Sequence, residues 1–263
     1  MTSHSVTIGA ATLMLGDCIE RMRELPDGSV SLVLTDVPYS SGATREAGRT
    51  AYNKTMTRST KGDGGRWFGS DSLSTRGFLH LLRACAIEWQ RVLKPGGHVL
   101  AFIDWRMGDH LADAIDGGEA ALFLNGHAAD AMESADLKRI GLLVWDKTHF
   151  GMGTHFRHQH ELIHHFTKGK GAEPLRRNVA NVLRHPPVRL GAHPTEKPVG
   201  LLAELIGTVC PPGETVLDPF FGSASAGHAA LSTGRRFVGI ERDRRYFETG
   251  WQRLAGLVEE LAA

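Results

Sequence analysis

The segment Asp36-Val37-Pro38-Tyr39 directly follows a run of apolar and β-branched residues, Leu32–Thr35. Ligands bind at the carboxyl ends of strands in open α/β sheets, so this segment could line a binding cleft. There the Asp36 carboxylate and the Val37 carbonyl would accept the two hydrogens of an exocyclic amine and turn its nitrogen lone pair toward an electrophilic methyl group. Tyr39 would stack on the ring that carries the amine. We predict that Asp36, Val37, Pro38 and Tyr39 form a catalytic segment; a strand that ends in a proline turn is the alternative.

A second segment places a glycine turn between a strand and a helix. The run Thr215–Leu217 leads into Asp218-Pro219-Phe220-Phe221-Gly222, and a helical pattern begins at Ala224. The N-terminus of a helix offers unpaired N–H groups to an anion, such as the carboxylate of a methionine moiety. Asp218 would attract the ammonium of that moiety, and Phe220 would pack near its sulfonium. We predict that a methyl donor binds here, although one glycine alone also fits an ordinary turn; the binding residues are Asp218, Phe220, Gly222, Ser223 and Ser225.

Three further segments complete the predicted cofactor site. Glu241 ends the next apolar run, 23 residues after Asp218, and an acid about twenty residues beyond a glycine turn commonly binds ribose hydroxyls. Thr195 and Lys197 are predicted to face the carboxylate end of the cofactor, and Asp17 with Cys18 to face its adenine. The alternatives are a proline-bounded loop before a helix for Thr195 and Lys197, and a helix cap for Asp17.

The composition is that of an ordinary globular chain. Its 263 residues are 41% hydrophobic and 22% charged, which fits a single domain. No apolar run is long enough to span a membrane and the first residues lack a signal-peptide pattern, so an intracellular protein is expected. Cys18, Cys85 and Cys210 are odd in number and far apart, which argues against a disulfide framework and against a zinc site. No metal is predicted.

Positive charge is local rather than global. The net charge is only +1, but residues 41–66 hold six basic and two acidic residues, and residues 147–192 hold eight and two. Localised positive potential is what phosphate binding needs, although either run taken alone is better explained as a solvated surface. We predict a flexible loop at 40–70 and a DNA-contacting region at 147–192. The predicted DNA contacts are Arg45, Arg49, Lys54, Arg58, Lys147, Arg157, Lys168, Lys170, Arg176 and Arg177.

Apolar β-branched runs alternate with helical patterns along the chain, which predicts an α/β fold with an open, mostly parallel sheet flanked by helices. A segment at Asp116–Ala131 interrupts this plan and is interpreted as an insertion. The predicted strands are Thr7–Leu15, Ser31–Thr35, Gly97–Phe102, Ile140–Trp145, Glu161–Phe166, Thr215–Leu217 and Arg236–Ile240. The predicted helices are Leu73–Leu93, Met107–Ile115, Pro198–Val209, Ala224–Thr233 and Arg244–Glu260.

The order of these segments resembles that of the β-class DNA amino-methyltransferases. In that class a D-P-P-Y catalytic segment precedes an F-x-G-x-G cofactor segment; here Asp36–Tyr39 precedes Phe220–Ala224, with the second basic region between them. The resemblance covers nearly the whole chain and includes Leu93–Gly97 and Val144–Lys147.

This resemblance implies a single Rossmann-like methyltransferase domain over residues 1–263, with circularly permuted motif order. It implies S-adenosylmethionine as cofactor and methyl transfer to a flipped base of double-stranded DNA, with adenine N6 preferred over cytosine N4. It also implies a homodimer, because enzymes of this class often act as dimers.

Two residues depart from the pattern of the class. Val37 stands in place of its first proline, which contributes a backbone carbonyl, and Ala224 in place of a glycine. Neither change removes a catalytic atom, so activity is expected. The alternatives are cytosine N4 methylation, a DNA-binding regulator of the same fold without turnover, and methylation of RNA or of a glutamine side chain. Enzymes of the last kind usually place the cofactor turn before the catalytic segment, which is the reverse of the order here.

Overall fold

The computed structural model describes residues 4–38, 75–116, 137–151, 155–188 and 196–262. Some of the predicted features lie outside these ranges. They are the loop at 40–70, almost all of the insertion at 116–131, and the residues Tyr39, Arg45, Arg49, Lys54, Arg58 and Thr195.

A nine-stranded sheet, in the order β1-β2-β9-β8-β3-β4-β6-β5-β7, forms the centre of the described fold. The strands from β2 to β4 in this order are all parallel, whereas β1 and β6 run antiparallel to their inner neighbours. The predicted α/β fold with a mostly parallel sheet is confirmed. The strands are β1 (His4–Ile8), β2 (Ala11–Leu15), β3 (Val30–Asp36), β4 (Leu93–Ile103), β5 (Leu137–Asp146), β6 (His160–Lys168), β7 (Val182–Arg184), β8 (Thr215–Asp218) and β9 (Arg236–Glu241).

Helices cover both faces of the sheet. One apolar cluster receives buried side chains from α1, α2 and α3, and a second receives them from α4, α5 and α6. Successive residues of β4 alternate between the two clusters, as they must when the clusters lie on opposite faces of a sheet. The helices are α1 (Cys18–Met22), α2 (Thr75–Val92), α3 (Gly108–Ile115), α4 (Val199–Val209), α5 (Ser225–Ser232) and α6 (Arg244–Ala262).

The predicted strand Thr7–Leu15 is wrong, because this stretch is an antiparallel hairpin of β1 and β2. Gly9 makes the reversal possible: its φ is +54°, and a Cβ there would lie 3.0 Å from a methyl carbon of Val258. The sequence analysis also omits α1 and β7, which are only five and three residues long. Segments this short show too few repeats of a hydrophobic pattern to be recognised.

The two central strands β3 and β8 form the point at which the connections reverse direction. From β3 the chain passes through α2, on one face, to the neighbouring β4. From β8 the chain passes through α5, on the opposite face, to β9, which neighbours β8 on the side away from β3. Ligand sites in open α/β sheets form at such a switch point, beyond the carboxyl ends of the strands. The ends of β3, β8 and β9 carry Asp36, Asp218 and Glu241.

Within the ranges that the structure describes, no helix is long and apolar enough to cross a membrane. The same ranges contain no group of three or more histidine, cysteine, aspartate or glutamate side chains arranged to hold a metal ion. Cys18, Cys85 and Cys210 are buried free thiols.

Two glycines of α6 should respond oppositely to the same substitution. A Cβ at Gly250 would lie 2.5 Å from the Phe221 ring, whereas one at Gly256 would meet no atom within 4 Å. Gly250→Ala should therefore lower the free energy of unfolding by about 1–3 kcal/mol. Gly256→Ala should raise it by up to about 1 kcal/mol, since alanine favours a helix. Urea unfolding followed by circular dichroism measures both, and equal effects would contradict the close packing at Gly250.

Candidate active site

The end of β3 delivers Asp36 to a cavity of about 970 Å³ at the switch point. The Asp36 side chain is 26% exposed, and Val37 after it is buried. Asp17, Asp218 and Glu241 line the same cavity, as does Pro38. Its volume is at the upper end of the usual range for small-molecule sites. The structure therefore brings the predicted catalytic and cofactor segments, far apart in sequence, into one cavity.

Asp218 is a buried carboxylate that is held by its neighbours. Its Oδ1 accepts hydrogen bonds from the Thr35 hydroxyl at 2.8 Å and from the Phe220 backbone N–H at 3.1 Å. Burial raises the pKa of Asp218 to about 7 against these two hydrogen bonds, and the nearby charges of Asp36 and Glu241 add to the rise. A cation beside Asp218 would favour its ionised form, which agrees with the predicted contact to an ammonium group.

Glu241 connects the two turns that form one wall of the cavity. One of its carboxylate oxygens accepts from the Gly222 backbone N–H at 3.0 Å, and the other accepts from the Asp243 backbone N–H at 2.8 Å. Burial raises the pKa of Glu241 in spite of these hydrogen bonds. The carboxylate thus fixes the turn before α5 to the turn before α6. Its contact with ribose hydroxyls stays a prediction.

The turn before α5 has an unusual backbone. Gly222 and Ala224 both have left-handed conformations, with φ of +51° and +59°, and for alanine this costs about 1–2 kcal/mol. Ala224 is completely buried, so packing holds it there. Ser223 and Ser225 on either side are buried too, and Phe220 lines the cavity.

Arg253 of α6 braces the turn before α5. Its Nη1 donates to Glu196 at 2.7 Å and lies 3.3 Å from both the Ser223 carbonyl and the Ser225 hydroxyl. Because the Glu196 carboxylate offsets the charge of the guanidinium, this pair holds the turn in place rather than adding net positive charge to it. Arg253 was not predicted, because it belongs to a helix whose charged surface pattern gives no sign of which residue turns inward.

Asp17 caps α1, as the alternative explanation for this residue proposed. Its Oδ1 accepts from the backbone N–H of Ile19 at 2.9 Å and of Glu20 at 3.3 Å. Asp17 and the buried Cys18 nevertheless line the cavity, and the Gly16 backbone N–H donates to the Glu241 carbonyl at 2.9 Å. Capping and an adenine contact are compatible, because a carboxylate can accept several hydrogen bonds. The adenine contact itself stays a prediction.

Lys197 lies between two carboxylates. Its Nζ is 2.5 Å from Asp36 Oδ2 and 3.2 Å from Glu161 Oε2, and its side chain is only 7% exposed. Lys197 was predicted to face the carboxylate end of the cofactor, whereas in the structure its ammonium contacts the predicted catalytic acid. Glu161 was recognised only as part of a strand, because an isolated acid in an apolar run gives no sign of its partners.

The predicted DNA-binding residues that the structure describes do not share one surface. Lys147 and Arg157 follow β5, at the same end of the sheet as Asp36. Lys168 donates to the Leu93 carbonyl at 2.8 Å, and Leu93 begins β4, so Lys168 and the exposed Lys170 lie at the opposite end. Two further predicted residues are Arg176, next to Gly207 near the C-terminus of α4, and Arg177, in an exposed ion pair with Glu173.

Solved structures with the same fold define the class of protein. The M1.HpyAVI–SAM complex superposes with a TM-score of 0.62 and 19% identity over 92% of this chain and 99% of that chain. The cytosine-N4-specific PvuII DNA methyltransferase gives a TM-score of 0.62 and 14% identity over 97% of this chain and 93% of that chain. The chain therefore has the Rossmann-like fold of S-adenosylmethionine-dependent methyltransferases.

The sequence comparisons are more specific. A family model of the N6/N4 methyltransferases, described as DNA methylase, matches residues 30–252. YubD of Escherichia coli K12, a proposed methylase, is 32% identical over 243 residues, 92% of this chain and 89% of YubD. The type II methyltransferase M.HinfI of Haemophilus influenzae is 26% identical over 273 residues, 92% of this chain and 68% of M.HinfI. The chain belongs to the N6/N4 DNA methylase family, as the resemblance to the β-class enzymes implied, and the cofactor of this family is S-adenosylmethionine.

The buried Asp218 should make stability depend on pH. Since its pKa is raised to about 7, the folded protein keeps a proton that the unfolded chain releases near pH 4. The free energy of unfolding should therefore fall as the pH rises from about 4 to about 7. Asp218→Asn keeps an oxygen for Thr35 and Phe220 and removes this titration. We expect urea unfolding at several pH values to show that the free energy of unfolding of the variant rises by a few kcal/mol relative to that of the wild type as the pH increases. A difference that stays constant with pH would contradict the raised pKa of Asp218.

Proposed function

We propose that this DNA methyltransferase transfers the methyl group of S-adenosylmethionine to the N6 amine of a flipped adenine in double-stranded DNA. The observation that carries the proposal is the position of Asp36 at the carboxyl end of β3, in one cavity with Asp218 and Glu241. A catalytic acid and a cofactor-binding wall are then within reach of one bound substrate. The family match supplies the DNA substrate.

The residues of the cavity fit the cofactor of the family by charge. Asp218 is a buried carboxylate whose ionisation a cofactor ammonium would favour, while the unpaired backbone N–H groups at the start of α5 suit a carboxylate. Glu241 would face the ribose, and Asp17 the adenine. When bound, S-adenosylmethionine supplies an electrophilic methyl group on a sulfonium. Every other part of the reaction is a task for the side chains and backbone of this chain.

Asp36 and Val37 would prepare the amine of the target base. The nitrogen lone pair of an aromatic amine is delocalised into the ring, so the amine is a weak nucleophile. Hydrogen bonds to the Asp36 carboxylate and the Val37 carbonyl would draw both amine hydrogens to one side and direct the lone pair at the methyl group. Asp36 would also stabilise the positive charge that develops on nitrogen until one proton leaves to water. Because a backbone carbonyl does this work at position 37, valine can replace the proline of the D-P-P-Y pattern.

Adenine is favoured over cytosine by the D-x-P-Y form of the catalytic segment, which ends in Tyr39. Cytosine N4 is the second candidate, because a cytosine-N4-specific enzyme shares the fold. The two products are distinguished by digesting DNA methylated with labelled cofactor to nucleosides and separating them by liquid chromatography and mass spectrometry. Label in N4-methylcytosine alone would reject adenine. Label in RNA or protein but not in DNA would reject the proposed substrate.

Asp36→Asn should reduce methyl transfer to DNA at least about a hundredfold, because an amide cannot stabilise positive charge on the amine. The dissociation constant for S-adenosylmethionine should stay within about threefold, since Asp218 and Glu241 are unchanged. Single-turnover transfer of labelled methyl groups and calorimetric titration of the cofactor measure the two effects.

Asp27→Asn is the matched control. Asp27 is an 80% exposed carboxylate that pairs with Arg91 away from the cavity, so its variant should transfer methyl groups at the rate of the wild type. If Asp36→Asn transferred methyl groups at an unchanged rate, Asp36 could not be the catalytic acid. A wild-type protein that binds cofactor and specific DNA without labelling it would instead support the regulator alternative.

The turn after β4 and the segment after β5 form an exposed aromatic and basic surface at the same end of the sheet as Asp36. Phe156 is 93% exposed, and Trp105 and Phe150 are each 58% exposed. The Arg157 guanidinium lies 4.1 Å from the Phe150 ring centroid, and Arg157 Nε donates to the Gly151 carbonyl at 2.7 Å. Trp105 stacks on His158 with centroids 5.6 Å apart. Exposed aromatic rings beside fixed cations suit unstacked bases and phosphates, so we propose that DNA contacts this surface.

The double variant Phe156→Ala, Arg157→Ala should raise the KM for duplex DNA about tenfold or more and leave cofactor affinity unchanged, because it loses a stacking platform and a phosphate contact. Lys170→Ala removes an exposed cation at the opposite end of the sheet and should change the KM less than about twofold. Steady-state kinetics on one duplex at fixed salt gives both values. If Lys170→Ala is as harmful as the double variant, the basic region at 147–192 acts as a whole and the aromatic surface is not the main contact.

Two further proposals concern assembly and location. The exposed apolar residues Ile140, Leu142 and Val182 lie on β5 and β7 at the outer edge of the sheet, and an apolar surface there would suit a second copy of the chain. A purely monomeric sedimentation profile at micromolar concentration would reject this homodimer. Action on chromosomal DNA would require the protein to reside in the cytoplasm with the nucleoid.

A further inference from the structure

A chain of alternating charges, buried at Lys197 and half-buried at its other members, extends from the catalytic acid to Lys147. It runs from Asp36 to Lys197 at 2.5 Å, from Lys197 to Glu161 at 3.2 Å, and from Glu161 to Lys147 at 2.6 Å. Resting on the function proposed above, we propose that Lys197 and Glu161 are positioning residues. They hold the Asp36 carboxylate in the orientation and charge state that amine methylation needs.

The chain joins three separate parts of the fold. Asp36 ends β3, Glu161 lies near the start of β6, and Lys197 precedes α4. Between β3 and β6 lies β4, whose Phe102 ring centroid is 5.3 Å from Lys197 Nζ. The ammonium thus lies over an aromatic face and spans the strand that separates the two carboxylates. Asp36 is therefore anchored to elements other than its own strand.

Burial of the Lys197 ammonium requires that opposite charges lie close to it. A charged side chain removed from water is very unfavourable unless opposite charges meet it, and Lys197 meets one on each side. The net contribution of such buried pairs to folding is small, because desolvation offsets most of the attraction. A role in stability alone therefore explains the arrangement poorly, whereas a role in orienting a carboxylate that lines the cavity explains it directly.

The first effect on Asp36 is orientation. The hydrogen bond from Lys197 to Oδ2 fixes the rotation of the carboxylate about its Cβ–Cγ bond, and this rotation determines where Oδ1 lies. A hydrogen bond to the target amine depends steeply on direction. A carboxylate that rotates freely would spend part of its time misaligned with the amine, and the rate of transfer would fall accordingly.

The second effect is on charge. The groups that face Lys197 are Asp36 from β3 and Glu161 from β6, and Lys147 follows β5 on the far side of Glu161. Burial alone would lower the pKa of Lys197, but the two carboxylates outweigh it and raise the pKa. Burial likewise opposes ionisation of Glu161, but Lys197 and Lys147 lower its pKa. The ammonium therefore stays charged and favours an ionised Asp36, which can accept a hydrogen bond from the amine.

The first experiment separates positioning of Asp36 from cofactor binding. Lys197→Met should lower the single-turnover rate of methyl transfer to DNA about a hundredfold, with the dissociation constant for S-adenosylmethionine within about threefold of the wild type. Lys197→Arg keeps the charge and should recover at least about a tenth of the wild-type rate. A rate near that of the wild type in Lys197→Met, or a tenfold weaker cofactor affinity as the main effect, would overturn the proposal.

The second experiment uses the pH dependence of the rate and remains informative if Lys197→Met fails to fold. Glu161→Gln keeps the size of the side chain but removes one negative charge, which lowers the pKa of Lys197. Activity that needs the ammonium is present below this pKa and lost above it, so the alkaline limb of the rate profile should move down by about one pH unit or more. A purely structural role would lower thermal stability without moving this limb.

Glu248→Gln serves as control, because Glu248 is an exposed carboxylate paired with Arg244 and lies outside the cavity. Its profile should match the wild type. An unshifted profile in Glu161→Gln would refute the role of Glu161. If the wild type itself transfers no methyl group to DNA, the proposed function fails; if the wild type is active and Lys197→Met equally so, only the positioning role fails.

Discussion

The concentration of carboxylates at one end of the parallel strands is the constraint on which the rest of the site depends. Asp36, Asp218 and Glu241 end neighbouring or nearly neighbouring strands, and burial makes unpaired negative charge there very unfavourable. Each acid is balanced differently. Asp36 is paired with Lys197, Asp218 has its pKa raised toward neutrality, and Glu241 accepts two backbone N–H groups. One carboxylate is thus held by an ammonium, one is left protonatable near neutral pH, and one is built into the wall of the cavity.

The topology of the sheet produces this grouping without long loops. Parallel pairing of β3 with β8 aligns Val33 with Leu217, so the two strands end together and the Thr35 hydroxyl reaches Asp218. Because α2 and α5 leave toward opposite faces, a cavity remains between their starting points. The circularly permuted order of the motifs along the chain therefore has little effect on the geometry of the site, because the same strand ends meet whichever segment comes first.

Much of this arrangement follows from the sequence, and the failures have physical causes. Acids at the ends of β-branched runs predict a shared edge, because parallel strands end together, and the structure brings Asp36, Asp218 and Glu241 into one cavity. The partners of Lys197 could not be predicted, because Glu161 approaches it across β4 and pairing across a sheet leaves no local pattern. Arg253 was missed because the charged surface pattern of its helix gives no sign of which residue turns inward. The hairpin at Gly9 was missed because its alternating residues continue through the turn without a break.

The two hydrogen bonds of Glu241 have a consequence for the thermodynamics of ligand entry. The turns before α5 and α6 are tied to each other before anything binds, so little loop entropy remains to be lost when a ligand enters. Part of the ordering is thus completed during folding. The heat of binding should then reflect direct contacts and displaced water rather than reorganisation of the chain. Under the proposed function, a rigid wall of this kind would hold the methyl group in a fixed position, and the DNA base would be the partner that moves.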